Sequence, residues 1–133
     1  MREVSHIGIA VRNLDRAVET YSLLLQKKPE LTKEVAEQQV RVAIFRSSGE
    51  GPSIELLEPL GNESPVGRFL EKRGEGIHHI CIYVSGIEAV LKRLKEKGVR
   101  LIDEIPRVGA EGHKIAFIHP SSFSGVLIEL EEK

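Results

Sequence analysis

The chain has 133 residues, of which 41% are hydrophobic and 29% charged, and its formal net charge is −1. This length fits one domain, or two small modules around one core, and the balanced charge without a basic run argues against nucleic acid as a partner. No apolar stretch approaches the length of a membrane span, no signal peptide precedes the first strand pattern, and the single Cys81 cannot form an internal disulfide, so we expect a cytoplasmic protein.

The first half of the chain predicts a strand, a helix and further strands. β-Branched and apolar residues at positions 4–11 indicate the first strand. Asn13 is a suitable N-cap for a helix with one apolar face, which Pro29 ends. Residues 40–45 and 53–58 have the composition of strands, and a glycine-rich turn separates them.

The second half repeats this order after a connecting segment. Ser64 is a suitable N-cap for a short helix within residues 61–76. Ser85 and Glu88 form a capping box for a longer helix that Gly98 ends. Each half therefore consists of a strand, a helix and about three strands. In the second half the strands are predicted over residues 77–84, 99–105, 114–119 and 126–131.

Two short motifs occur once in each half. The run HIGIAV, beginning at His6, recurs as HICIYV beginning at His79, and SIELLE around Glu55 recurs as LIELEE around Glu129. Taken singly, each glutamate would be a solvent-facing strand residue and each histidine a cap or core residue. Together, imidazole nitrogen and carboxylate oxygen suit zinc, nickel, cobalt, manganese or iron, and two carboxylates offset a divalent charge. We therefore predict one metal site formed by His6, Glu55, His79 and Glu129.

The remaining histidines and the cysteine give no repeated signal. His78 points away from His79 on a strand and aligns with a serine of the first copy. His113 and His119 have no counterpart in the first half, so we predict surface or turn residues, with contact to a substrate as the alternative. Cys81 lies in an apolar run and is expected to be a small core residue.

These motifs resemble the vicinal oxygen chelate superfamily and, within it, the methylmalonyl-CoA epimerases. The similarity extends over nearly the whole chain, and its most specific stretches are residues 6–11, 55–59, 69–80, 109–114, 119–120 and 125–130. The linker and the C-terminal stretch are what favour the epimerases within the superfamily. The resemblance implies an α+β fold in which two paired βαβββ modules form a cupped, incompletely closed eight-stranded barrel. It also implies a single domain over residues 1–133. This domain consists of a first module (about residues 1–60), a linker (about 61–76) and a second module (about 77–133).

The resemblance further implies a reaction, a cofactor and an assembly. The reaction is the interconversion of (R)- and (S)-methylmalonyl-CoA through a metal-stabilised enolate. The metal would be cobalt or zinc, with nickel or manganese as alternatives, and enzymes of this kind are commonly dimers. Inversion needs a proton-transferring group on each face of the planar intermediate. Glu129 and Glu55 are the candidates, because the resemblance places them on the metal from opposite modules.

Two other functions stay open. A glyoxalase I-like lactoylglutathione lyase uses a very similar set of two histidines and two glutamates, but acts on a hemithioacetal of glutathione. A non-catalytic small-molecule-binding module of the same superfamily often lacks the four ligands, all of which are present in this chain.

Three positions depart from the epimerase pattern. Val42 stands where some relatives carry a glutamate that is a suspected base, which shifts that role to Glu55 or another group. Gln39 stands in place of a common glycine, and Ser121 stands in place of a common lysine. If that lysine meets coenzyme A phosphates in relatives, Ser121 weakens the expectation of the same contact here.

Overall fold

The computed structural model describes residues 2–109 and 111–133, which divide into two compact units. The first unit comprises residues 6–78, and the second comprises residues 2–5 together with the described residues from 79 to the C-terminus. The main elements of both units follow the order strand, helix, strand, strand, strand. The predicted α+β class and the two βαβββ modules are therefore confirmed.

The first unit is a four-stranded sheet with a helix against each face. In this sheet the order is β2-β3-β4-β1, with β1 and β4 parallel and the other neighbours antiparallel. The elements are β1 (Val4–Ala10, in this unit from His6 onward), α1 (Leu14–Leu25), β2 (Leu31–Val35), β3 (Val40–Phe45), β4 (Ser53–Pro59) and α2 (Pro65–Arg73).

Two apolar clusters hold the helices of the first unit to its sheet. On one face Leu14 at the start of α1 is buried with Phe45 and Leu56, so α1 is fixed by its own apolar stripe. On the other face Leu70 of α2 packs in one cluster with Leu57. The helix predicted after Ser64 is confirmed, and its N-cap hydroxyl accepts a hydrogen bond from the Gly67 amide over 3.1 Å. The second cluster also contains Val40, Val42, Ile44 and Val66.

The second unit repeats the strand order of the first. Its sheet is β5-β8-β7-β6, with β5 and β8 parallel and the other neighbours antiparallel. α3 packs against one face of this sheet through a single apolar cluster. The elements are β5 (Gly76–Val84, in this unit from His79 onward), α3 (Ile87–Glu96), β6 (Arg107–Val108), β7 (Lys114–Ile118) and β8 (Leu127–Glu132). No helix within the described residues is both long and apolar enough to cross a membrane.

The strand predicted over residues 99–105 is wrong in extent. Only Leu101 forms a bridge, to Ile118, and the paired strand is the later β6. The amides of Ile102 and Asp103 both donate to the Phe117 carbonyl, over 3.0 and 3.1 Å, while the Phe117 amide donates to the Asp103 carboxylate over 2.8 Å. A side chain therefore takes one of the positions that a regular ladder would fill with backbone. Pro106 then interrupts the segment, because it has no amide proton to contribute.

The edge strand β2, Leu31–Val35, was missed by the sequence prediction. Its residues alternate between half-buried and exposed until buried Val35, which is the pattern of an amphipathic edge strand. Thr32, Lys33 and Glu34 make the segment too polar to stand out as a strand from composition alone.

The predicted capping box of α3 is also wrong. Gly86, in the left-handed region with a φ of 65°, is the N-cap residue. The Ile87 amide instead donates to the Glu132 carboxylate over 3.0 Å. The first unit uses the same device, because the Leu14 amide donates to the Glu58 carboxylate over 2.8 Å. In both units, therefore, a glutamate of the last strand fixes the start of the helix.

Replacing Glu132 with alanine is expected to lower the free energy of unfolding by about 1 kcal/mol, because the first turn of α3 loses its carboxylate acceptor. Urea unfolding followed by circular dichroism measures this difference. The matched control is Glu96→Ala at the exposed end of the same helix, which should change the value by less than about 0.5 kcal/mol. Equal losses in the two variants would contradict the capping role.

Candidate metal centre and active site

His6 and Glu55 form the first pair of candidate metal ligands. They lie on the parallel neighbours β1 and β4, where Gly8 is the register partner of Glu55. Since register partners share a face and alternate residues share a side, His6 and Glu55 project from the same face. The His6 Nδ1 atom is 3.3 Å from the Glu55 Oε2 atom, and the two side chains are 10% and 20% exposed.

His79 and Glu129 form the corresponding pair in the second unit. They lie on the parallel neighbours β5 and β8, where Cys81 is the register partner of Glu129. The His79 Nε2 atom is 3.2 Å from the Glu129 Oε1 atom, and the side chains are 8% and 10% exposed. The ring of Phe117 meets the His79 ring edge to face, at a centroid distance of 6.3 Å. The predicted repeat of one imidazole and one carboxylate is thus present in the structure of each unit.

A small residue stands beside the glutamate in both pairs. Gly8 in the first unit and Cys81 in the second are the register partners of Glu55 and Glu129. Both small residues are buried, which leaves room for the glutamate to reach the histidine two residues earlier on the neighbouring strand. The expectation that Cys81 is a small buried residue is confirmed, and its position explains why a larger residue is absent there.

The donor set of each pair fits a divalent transition metal. Two ligand atoms that each lie about 2.1 Å from one ion, with a ligand–ion–ligand angle of about 100°, are about 3.2 Å apart. The observed separations of 3.3 Å and 3.2 Å match this spacing. A buried carboxylate also gains from a nearby cation, since burial otherwise penalises its charge. Each pair is therefore a candidate half-site, and common coordination of one ion by all four residues stays a prediction.

His78 and His119 make contacts of other kinds. His78 lies edge to face against Phe69 of α2, with ring centroids 5.1 Å apart. His119 begins the 3₁₀ turn Pro120–Ser122, and its Nδ1 atom accepts a hydrogen bond from the Ser121 amide over 3.0 Å. The prediction of a turn residue at His119 is confirmed.

Glu131 is the site residue that the sequence prediction missed. It lies two positions after Glu129 on β8 and therefore on the same face. Its Oε2 atom is 2.9 Å from the Nδ1 atom of His113, whose side chain is 52% exposed, as predicted. Its Oε1 atom accepts hydrogen bonds from the Ser5 hydroxyl over 3.3 Å and from the Cys81 thiol over 3.8 Å. The repeated motifs do not single out Glu131, but the alternation of side chains along β8 places it on the same face as Glu129.

Two of the three departures from the epimerase pattern have a structural consequence. Val42 is buried in the apolar core of the first unit, so it supplies no proton-transferring group. Gln39 has a φ of 55°, in the left-handed region that favours glycine. The backbone shape that glycine would allow is therefore present here, despite the larger residue.

Comparison with known proteins extends over almost the entire chain. The sequence model of the Glyoxalase/Bleomycin resistance protein/Dioxygenase superfamily matches residues 5–117. An ethylmalonyl-CoA/methylmalonyl-CoA epimerase of Cereibacter sphaeroides is 39% identical over 131 residues, which are 97% of this chain and 96% of that protein.

Two solved structures give the same result. The crystal structure of methylmalonyl-CoA epimerase from Mycobacterium tuberculosis is similar with a TM-score of 0.89 and 39% identity, over 98% of this chain and 87% of that chain. A methylmalonyl-CoA epimerase in complex with methylmalonyl-CoA and NH4+ has a TM-score of 0.88 and 37% identity, over 100% and 95% of the two chains. These likenesses confirm the predicted fold class, and the chain belongs to the Glyoxalase/Bleomycin resistance protein/Dioxygenase superfamily.

Proposed function

We propose that this chain is an isomerase that interconverts (R)- and (S)-methylmalonyl-CoA. The observation that carries the proposal is the likeness to methylmalonyl-CoA epimerases over nearly the full length of both chains. The two histidine–glutamate pairs, of which only Glu55 is half-buried and the other three residues are buried, support it, because they retain the donor chemistry on which such a reaction depends. A binding module without catalytic activity has no comparable need for these pairs.

The proposed cofactor is one divalent metal ion held by His6, Glu55, His79 and Glu129. Cobalt and zinc are the proposed metals, with nickel and manganese as alternatives, since all four accept imidazole and carboxylate ligands. When bound, the ion acts as a Lewis acid that stabilises negative charge on the oxygens of the substrate. Support comes from the donor separations in each pair and from their repetition in the two units.

The residues of the chain have three tasks in this reaction. They hold the substrate's acidic carbon, exclude water from it, and move its proton. Glu55 and Glu129 are the proposed proton-transferring carboxylates, one from each unit. Their low exposure strengthens electrostatic interactions with the substrate, because little water is present to screen them. Metal binding lowers the basicity of a carboxylate, however, and so limits what a ligating glutamate contributes as a base.

The proposed context is a cytoplasmic homodimer in which residues 1–133 form one domain of two modules. The single buried Cys81 suits a reducing compartment. The dimer is proposed from the family resemblance alone, and size-exclusion chromatography with light scattering tests it: a monomer at micromolar concentration would contradict it.

Proton NMR in deuterated water is the assay for the proposed function. We expect the metal-loaded protein to convert (S)-methylmalonyl-CoA to the mixture of epimers, with deuterium entering at the α-carbon. This result follows because inversion requires the α-proton to leave and a solvent-derived proton to return. Turnover of the glutathione hemithioacetal of methylglyoxal, without any turnover of methylmalonyl-CoA, would identify a lactoylglutathione lyase instead. Absence of both reactions and of bound metal would favour a binding module.

A further inference from the structure

We propose that His113, oriented by Glu131, takes the substrate's α-proton on the face served by the second unit, in place of the metal-binding Glu129. This inference rests on the proposed epimerase function and adds a residue that the repeated motifs do not contain. Its basis is the contact of 2.9 Å between His113 Nδ1 and Glu131 Oε2, on the same sheet face as the His79–Glu129 pair.

The His113–Glu131 pair breaks the duplication of the chain at two matched positions. Glu131 corresponds to Leu57, since each lies two residues after its candidate ligand. The register partners of these two residues are Ile115 and Val42. Two positions before Ile115 lies His113, and two positions before Val42 lies Val40. Val40 and Leu57 are both buried in the apolar cluster under α2. A polar pair thus occupies the positions that the first unit fills with core residues.

Packing of a helix does not account for this replacement of two core residues by a polar pair. In the first unit, Val66 and Leu70 of α2 cover Val40 and Leu57. Within the described residues of the second unit, α3 is the only α-helix, and its cluster lies with Ala116 and Leu130 on the opposite face of the sheet. α3 therefore does not cover the face that carries His113 and Glu131.

The hydrogen bonds around Glu131 determine which nitrogen of His113 carries the proton. Ser5 and Cys81 both donate to Oε1 of Glu131, so its Oε2 atom is the acceptor for His113. A carboxylate accepts hydrogen bonds only, and the neutral imidazole must therefore place its proton on Nδ1. The Nε2 atom then carries the lone pair. Because the side chain is 52% exposed, a substrate can approach this atom.

This arrangement is that of a general base held by a carboxylate. The carboxylate fixes the tautomer and stabilises the imidazolium that forms when the base accepts a proton. In the proposed step, the α-carbon–hydrogen bond breaks and a bond forms between the proton and Nε2. The bonding electrons move into the enolate of the thioester. A proton then returns to the opposite face of the carbon, from Glu55 in the proposed scheme, and the configuration is inverted.

The position of the pair suits this task. Glu131 lies two positions after Glu129, a step of about 7 Å along β8. Glu131 is a positioning residue in this scheme, and His113 is the group that meets the substrate. Lys114, the next residue, takes no part, because its side chain forms an ion pair with Glu88 of α3 over 2.6 Å. The hydrogen bond from Lys114 also holds the pKa of Glu88 below its ordinary value.

Replacement of His113 by glutamine is the first test, in the metal-loaded full chain. We expect epimerisation to fall by at least about a hundredfold, because one of the two proton-transferring groups is lost. Exchange of the α-hydrogen with deuterated water should continue for one epimer only, since the group on the other face is intact. Lys114→Gln is the matched control, and it should change epimerisation by less than about twofold, because it removes only an exposed ion pair.

The second test determines the tautomer of His113 directly. Nitrogen-15 NMR of the wild-type protein should show the proton on Nδ1 of His113. Glu131→Leu, which copies Leu57 of the first unit, should release this preference and lower epimerisation while the bound metal is retained. These two changes together distinguish a positioning role from a general loss of structure.

The outcomes separate this inference from the proposed function. If the wild-type protein epimerises methylmalonyl-CoA and His113→Gln does so at the same rate, the role of His113 is overturned and the epimerase assignment is intact. The same holds if NMR of the wild-type protein places the proton on Nε2 of His113. Failure of the wild-type protein to exchange or epimerise methylmalonyl-CoA would overturn both.

Discussion

Replacing His79 with alanine is expected to remove the bound metal ion and to lower epimerisation by at least about a thousandfold. The imidazole lies 3.2 Å from Glu129 in a pair that is at most 10% exposed, so water cannot readily restore the lost nitrogen ligand. A thousandfold loss corresponds to about 4 kcal/mol of transition-state stabilisation, which is within the several kcal/mol that a Lewis-acid metal supplies. Elemental analysis of the purified variant and the proton NMR assay measure the two effects.

His78→Ala is the matched control, because it removes the neighbouring imidazole from the same strand. The His78 ring packs against Phe69, so metal content and activity should stay near the wild-type values. A His79→Ala variant that keeps one equivalent of metal and full activity would remove His79 from the site.

Replacing Glu129 with glutamine is expected to lower kcat by about a thousandfold without unfolding the protein. The substitution keeps the size and shape of the side chain but removes the negative charge that is proposed to bind the metal. Steady-state kinetics at saturating metal separate this effect from weaker metal binding, because added metal restores occupancy but not the charge.

The same chemical change at Glu132 is the control. Its carboxylate accepts from the Ile87 amide at the start of α3, and a glutamine oxygen at that position can still accept this hydrogen bond. We expect Glu132→Gln to retain activity within about twofold. If Glu129→Gln behaves in the same way as Glu132→Gln, the proposed ligand role of Glu129 is wrong.

The candidate ligands were predictable from the sequence because duplication repeats a function as well as a fold. His6 and His79 were selected by their matched positions, and the structure places each beside the glutamate of its own unit. Side-chain alternation on strands then put each histidine and its glutamate on one face. The same reasoning passed over Glu131, because its counterpart Leu57 is an ordinary core residue.

The errors in the fold prediction arise where a long-range contact replaces a local one. The start of α3 is fixed by Glu132, far along the chain, and not by the nearby Glu88 that a capping box requires. The segment near Leu101 is held by irregular backbone hydrogen bonds to β7 and by the Asp103 carboxylate, and not by a regular strand ladder. Local propensity carries no information about either contact, since both depend on where β7 and β8 lie in the folded unit.

Isothermal titration calorimetry of the metal-free protein with Co²⁺ determines whether the two half-sites bind a single catalytic ion. We expect one Co²⁺ per chain, with epimerase activity rising in proportion to occupancy. Two equivalent ions per chain, one for each histidine–glutamate pair, or no binding at all, would contradict it.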